Sequence, residues 1–187
     1  MSPARVLRTE WLVRNRWVAL SRQEVVLPNG HTVPDYHVLH EPDFVMGFAV
    51  TEEQHVLLVR QYKHGIGAFT LELPAGVIDE DDASPEEAMR RELLEETGFV
   101  AAEVRPLGVL VPNPTRATGL AHHFLLTGCR RVAEPAPDAT ETITVVTEPL
   151  HRIPGLVGDG TLCVQACVAC VALALGVLPP ATGASVG

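Results

Sequence analysis

The chain has 187 residues, a formal net charge of −9 and 47% hydrophobic residues. That length suits one domain of moderate size with an appendage, and the apolar content is ample for a core. The negative charge argues against a nucleic-acid backbone as the main partner, and residues 1–20, with arginines throughout and no apolar centre, do not read as a signal peptide.

Residues 1–44 look β-rich. Segments 16–20 and 23–27 alternate in part, Asn29-Gly30 marks a hairpin turn, and 32–33 and 36–39 continue the pattern. Glu41-Pro42-Asp43 forms a boundary. Strands are expected at 44–50 and 55–62, with a polar turn at 51–54 between them. Leu71-Glu72-Leu73-Pro74-Ala75-Gly76-Val77-Ile78-Asp79 reads as a strand running into a glycine-containing loop. A helix follows. Ser84-Pro85-Glu86-Glu87 is a capping box with proline at the first helical position, and Gly98 suits the left-handed residue that ends the helix.

After the helix come apolar runs at 104–111 and 122–127, a loop rich in Pro, Ala and acid at 132–140, and a β-branched strand at 142–147. Residues 155–160 lead into a last helix. The order strands, helix, strands, helix suggests an α/β fold with a mixed sheet between helices. Residues 160–187 carry no charge, and 161–178 are mostly apolar. Gln165, three cysteines, several alanines and the lack of a basic flank favour a packed terminal helix over a membrane anchor. Cys163, Cys167 and Cys170 fall at helical spacing and read as small buried residues in a reduced, cytoplasmic setting; no matching Cys or His pair supports a zinc site.

The most informative stretch is Arg91-Glu92-Leu93-Leu94-Glu95-Glu96-Thr97-Gly98-Phe99. At 100° per residue, Glu92, Glu95 and Glu96 fall within one arc, on the half of the helix that also carries Ala88, Met89 and Leu93. Three carboxylates turned inward repel one another and lose hydration. A hard divalent cation removes that cost, and Mg2+ is the usual choice.

The stretch from Gly76 to Phe99 resembles the Nudix box, G-x5-E-x7-R-E-U-x-E-E-x-G-U, where U is bulky and apolar. The second half matches throughout. In the first half the glutamate position falls on Ala83 and the glycine position on Val77. One extra residue in the acidic loop Asp79-Glu80-Asp81-Asp82 would return Gly76 to its role and leave Asp82 to substitute for the glutamate. Arg60-Gln61-Tyr62-Lys63 and Leu71-Glu72-Leu73-Pro74-Ala75-Gly76 resemble the "QYR … LELPAG" signature of ADP-ribose pyrophosphatases and their nucleotide-sugar relatives, with Lys63 in place of arginine. Pro112-Asn113-Pro114-Thr115-Arg116 lies where that group carries a proline-rich loop.

The resemblance implies a Nudix α/β/α sandwich with a mixed sheet (45–178), an N-terminal antiparallel β subdomain that dimerises (1–44), and a flexible tail (179–187). It implies hydrolysis of the diphosphate of ADP-ribose or a related nucleotide sugar, to AMP and a sugar phosphate. Mg2+, with Mn2+ as an alternative, would be held by Glu92, Glu95, Glu96 and the Ala75 carbonyl. Glu95 and Glu141 are the catalytic candidates, with Glu134 and Asp138 behind Glu141, whose alternative is a solvated strand end. Arg91 would hold the carboxylates in place. Trp17, Tyr36, Lys63 and Arg116 are the substrate-binding candidates, and Trp17 reads equally as an interface residue. The expected partners are a nucleotide sugar and a second copy of the chain, with neither nucleic acid nor membrane. Alternatives are a GDP-mannose, coenzyme A or dinucleoside polyphosphate hydrolase, and a non-catalytic ADP-ribose-binding module.

Overall fold

Residues 5–14 mix Val, Leu, Thr and Trp with Arg and Glu, and they form a strand. The structure, a computed structural model, describes residues 3–137 and 142–179. Strand β1 (Arg5–Arg14) pairs antiparallel with β2 (Ala19–Val26), which pairs antiparallel with β3 (Thr32–Leu39). The sequence reading missed β1 because its arginines mask the alternation; its one acid, Glu10, is matched across the ladder by Arg22 at 2.6 Å. The expected strands at 16–20 and 23–27 are one strand. Its start is set by Asn15, whose Oδ1 accepts from the N–H of Trp17 (2.8 Å) and of Val18 (2.9 Å). That side-chain turn bends the chain at Trp17 and keeps it out of the sheet.

The chain forms two compact units. The first comprises Met1–Asp43 and Val111–Leu120. The second segment, which the sequence reading placed in the other domain, joins the small sheet through Leu39: its N–H donates to the Arg116 carbonyl (2.7 Å) and its carbonyl accepts from Thr118 N–H (3.1 Å).

The second unit, Phe44–Leu110 and Ala121–Gly187, holds an eight-stranded mixed sheet. Strands β4 (Phe44–Thr51), β5 (His55–Lys63), β6 (Ala68–Glu72) and β7 (Ala75–Val77) precede helix α1 (Pro85–Thr97). Strands β8 (Phe99–Val100), β9 (Glu103–Leu110), β10 (Ala121–Arg131) and β11 (Ile143–Pro149) follow, then the short helix α2 (Ile153–Gly158), which the sequence reading did not expect, and α3 (Gln165–Val177). The main path is β11-β5-β4-β10-β8. β4 and β10 run parallel, and every other pairing is antiparallel.

Strand alternation splits the core between two faces. Met46, Phe48, Val50, Val56, Leu58 and Leu125 pack against Cys167, Cys170, Val171 and Ala174 of α3 and against Ile153 and Leu156. Val45, Ala49, Leu57, Phe124 and Leu126 pack against Ala88, Met89 and Leu93 of α1. Gly47 admits α1: a Cβ there would lie 2.8 Å from the Met89 sulfur and 2.4 Å from Leu126 Cδ1. Among the described residues, no helix is long and apolar enough to cross a membrane.

Candidate active site

The helix that carries the glutamates is fixed at both ends. Ser84 Oγ accepts from Glu87 N–H (3.2 Å), Pro85 opens the first turn, and Glu87 reaches back to Ala83 N–H (3.2 Å). Gly98 ends the helix at φ 77°, donating to the Leu94 carbonyl at 2.8 Å. The register between these caps turns Ala88, Met89 and Leu93 inward and puts Glu96 beside them, 2% exposed.

Glu96 is the deepest of the three carboxylates, and it accepts the backbone N–H of Ala75 at 2.9 Å. Glu92 stands against the next residue. A Cβ on Gly76 would lie 2.0 Å from the Glu92 carboxyl carbon, so only glycine lets backbone and carboxylate approach this closely. Glu95 sits at the rim, half exposed, and its Oε2 accepts from Arg91 Nη1 at 3.1 Å.

Arg91 binds the whole acidic region together. Its Nη1 also donates to Glu92 Oε1 (2.8 Å), its Nη2 to the Val77 carbonyl (3.0 Å), and its Nε and Nη2 fork onto both oxygens of Asp82 (3.1 and 2.8 Å). The fork is the planar bidentate geometry that lysine cannot make. Asp82 thus lies on the guanidinium rather than on the glutamates, and it also caps Asp79 N–H (2.9 Å). The Arg91 hydrogen bonds hold the Asp82 carboxyl below its usual range, and Asp82 in turn raises Arg91 further above its ordinary value.

Among the described residues, no three acidic, imidazole or thiol side chains close around a common point, and Arg91 pairs with both Glu92 and Glu95. The donor set nevertheless fits a hard divalent cation. It is all oxygen, it carries three formal charges on one side of a helix, and it faces backbone that Gly76 keeps free of a side chain.

The other candidates are dispersed. Lys63 Nζ lies 3.6 Å from Oε2 of Glu72, a carboxylate that is nearly buried and also accepts the Thr70 hydroxyl. The ladder pairs Lys63 with Ala68 and Val59 with Glu72, so the lysine stem runs back along the β5–β6 face to reach the acid. The sequence reading missed Glu72, although its alternation with Leu71 and Leu73 points it to the opposite face. Within the first unit, Tyr36 and Arg116 line one cavity of about 250 Å3 with Val33, Asp35, His37 and Thr115. The Tyr36 hydroxyl donates to the Thr115 carbonyl. Trp17 is outside that cavity, 68% exposed, with the Arg16 guanidinium 4.4 Å above its ring. Glu141 and Asp138 lie outside the described residues. Glu134 is exposed and pairs with Arg131 at 2.6 Å. The loop that carries it is tied to α1, since Ala136 N–H donates to the Glu95 carbonyl at 2.8 Å.

The family model for the NUDIX domain matches residues 42–157, more than half of the chain. The chain belongs to the Nudix family. A second family model, the nucleoside diphosphate sugar hydrolase N-terminal domain, matches residues 5–39. The Nudix domain thus spans the mixed sheet with α1, and the second match covers the three-stranded sheet. Among curated proteins, the methanol dehydrogenase activator of Bacillus methanolicus is 31% identical over 124 residues, covering 66% of each chain. The ADP-ribose pyrophosphatase of Bacillus subtilis (strain 168) is 30% identical over 121 residues, covering 65% of this chain and 64% of its own length. The match therefore spans just under two thirds of these relatives. A solved structure titled as an ADP compounds hydrolase superposes with a TM-score of 0.81 over 92% of both chains at 24% identity, and so shares the fold. Nudix hydrolases work with divalent metal ions, as the donor set of this chain allows.

Proposed function

We propose that this Nudix chain hydrolyses the diphosphate bond of ADP-ribose or a related nucleotide sugar, releasing AMP and a sugar phosphate, with Mg2+ as the cation. The observation that carries this reading is the meeting of Glu92 and buried Glu96 with the Ala75–Gly76 backbone. Mg2+ held by Glu92, Glu95, Glu96 and the Ala75 carbonyl would offset the charge of the diphosphate and make a water more acidic. Arg91, anchored by Asp82, keeps Glu92 and Glu95 at the site and limits their mutual repulsion. Glu141 would accept the proton of the attacking water as the P–O–P bond breaks and the second phosphate leaves. Lys63 supplies a positive charge for the substrate phosphates. Tyr36 and Arg116, which share a cavity, and exposed Trp17 are the candidates for the nucleoside.

The likeness to an ADP-ribose pyrophosphatase and the match to the nucleoside diphosphate sugar hydrolase N-terminal domain support a nucleotide sugar as substrate. Incubation with Mg2+ and ADP-ribose, ADP-sugars, GDP-mannose, coenzyme A and dinucleoside polyphosphates, followed by chromatography, tests the choice. AMP and ribose 5-phosphate from ADP-ribose as the preferred reaction support it. Faster turnover of GDP-mannose or coenzyme A overturns the substrate, and nucleotide binding without turnover overturns the enzyme.

The reading includes a homodimer. β1 is exposed along nearly its whole length and shows Val6, Leu7, Trp11 and Val13 to the outside. A second copy would cover this apolar edge. Light scattering that gives a particle of 20.2 kDa at micromolar concentration would exclude the dimer. A cytoplasmic setting is supported by four cysteines that are all unpaired.

A further inference from the structure

The turn that faces Glu92 and Glu96 is suspended from three sides. β6 ends at Glu72 and β7 begins at Ala75, so Leu73 and Pro74 lie outside both ladders. Pro74 has no N–H. Its carbonyl accepts from Gly47 N–H of β4 at 2.9 Å. Ala75 N–H donates to Glu96 of α1 at 2.9 Å. The remaining donor, Leu73 N–H, belongs to a residue with no exposed surface, and such a group needs a partner. The partner comes from the opposite face of the sheet: Leu73 N–H donates to the sulfur of Cys167 in α3 at 3.4 Å.

Cys167 is itself fully buried in the α3 core. Burial pushes its thiol up to about 12, so it stays protonated and unreactive, and its sulfur is available as a weak acceptor. The sequence shows three cysteines at helical spacing in a helix without charge, and the hydrolysis described above uses none of them.

We propose that Cys167 is a positioning residue for the metal-liganding turn: by taking the Leu73 N–H it sets where the Ala75 carbonyl stands relative to Glu92 and Glu96. This rests on the reading of Ala75, Glu92, Glu95 and Glu96 as the metal site. Pro74 makes the arrangement sensitive, because its ring fixes φ and carries any displacement of Leu73 into Ala75. The last helix is thereby joined to the chemistry through one sulfur, across a sheet that separates it from α1.

The test compares Cys167→Ser and Cys167→Ala in the full chain. The two are nearly equal in volume and underfill the site alike, but only serine keeps an acceptor. Mn2+ binding is read by the electron paramagnetic resonance signal of free Mn2+, with Mg2+ half-saturation of turnover and thermal melting alongside. Cys167→Ala is expected to weaken Mn2+ binding about five- to twentyfold, and Cys167→Ser to restore it to within about twofold of wild type. Equal Mn2+ affinity in both variants and wild type, whatever happens to melting, overturns the proposal and leaves Cys167 a packing residue. Should Cys167→Ala not fold, amide exchange in the wild type decides. Binding that depends on the Cys167 contact must in turn slow exchange at Leu73 when Mn2+ is added, and unchanged exchange overturns the proposal. Glu96→Gln serves as the control for the underlying reading. If it binds Mn2+ as tightly as wild type, the metal site itself is misassigned, which is a different failure from that of Cys167.

Discussion

Helices α1 and α3 have the same length, pack on opposite faces of one sheet and share almost no composition. α1 carries seven charged residues and buries only Ala88, Met89, Leu93, Glu96 and Thr97. α3 carries no charge and buries Cys167, Cys170, Val171 and Ala174. The difference separates two ways of belonging to a core. α3 contributes by the water it excludes. α1 docks with three apolar side chains and places a carboxylate among them, one that accepts the Ala75 N–H and that the proposed function assigns to the metal. A substitution on α1 should therefore damage chemistry more than folding, and one on α3 the reverse, with Cys167 as the exception.

Four substitutions probe that division. The largest effect is expected from Glu96→Gln, which keeps shape but removes charge next to Ala75. Turnover should fall about a hundredfold or more, with melting unchanged or raised in the absence of metal because like-charge repulsion is reduced. Near wild-type turnover at saturating Mg2+ would remove Glu96 from the mechanism. On the other face, Val171→Ala trims a side chain that is 3% exposed. Chemical denaturation should show a loss of roughly 1–3 kcal/mol, while turnover per folded molecule stays within about twofold. A fall in turnover beyond tenfold would break the division.

Asp82→Ala sharpens the α1 side. It removes the fork that anchors Arg91 but leaves all three glutamates in place. A several-fold loss of turnover, well short of that for Glu96→Gln, is the expected outcome. A loss as large would make Asp82 part of the metal site, and none would make the acidic loop a solvated insertion.

The smallest effect concerns pH on the α3 face. His123 shares that face with Leu125, is 1% exposed, and has no hydrogen-bond partner for either ring nitrogen among the described residues. Burial, with a smaller contribution from His122, lowers its folded-state pKa. The unfolded chain therefore binds a proton here that the folded chain does not, once pH falls below about 6.5. Stability should decline as pH falls from that value toward the depressed one, by at most about 1.4 kcal/mol per pH unit. His123→Phe should flatten this slope between pH 6.5 and 5 in denaturation titrations, and an unchanged slope would show that other groups control it.

Features set by a few neighbouring residues were legible in the sequence. The caps of α1, the arc of three glutamates and the turn at 51–54 each follow from residue types at short spacing, and the Nudix resemblance supplied the sandwich. Strand β1 was not legible, because an edge strand needs only one partner and its charges face solvent. Trp17 was read as a strand residue, but the side chain of Asn15 turns the chain two residues earlier. That Gly76 lies against the Glu92 carboxylate and that Asp82 serves Arg91 both depend on a loop path that no local pattern encodes. The Leu73–Cys167 contact joins two distant segments through a sheet, and no periodicity reports such a meeting.

The parallel pairing of β4 with β10 has a consequence for the order in which the molecule forms. Phe44 lies against Ala121 and Ala49 against Leu126, and everything between them, including β7 and α1, is a crossover that the pairing closes. Closing so long a loop is slow, and it yields few contacts until it is complete. In a nascent chain that has not yet released β10, Val45, Ala49 and Met89 lack Phe124 and Leu126 to pack against. The carboxylates of α1 would then be displayed on a helix without a floor. On the ribosome, the three glutamates of α1 are made before β10, the strand that completes their floor beside β4.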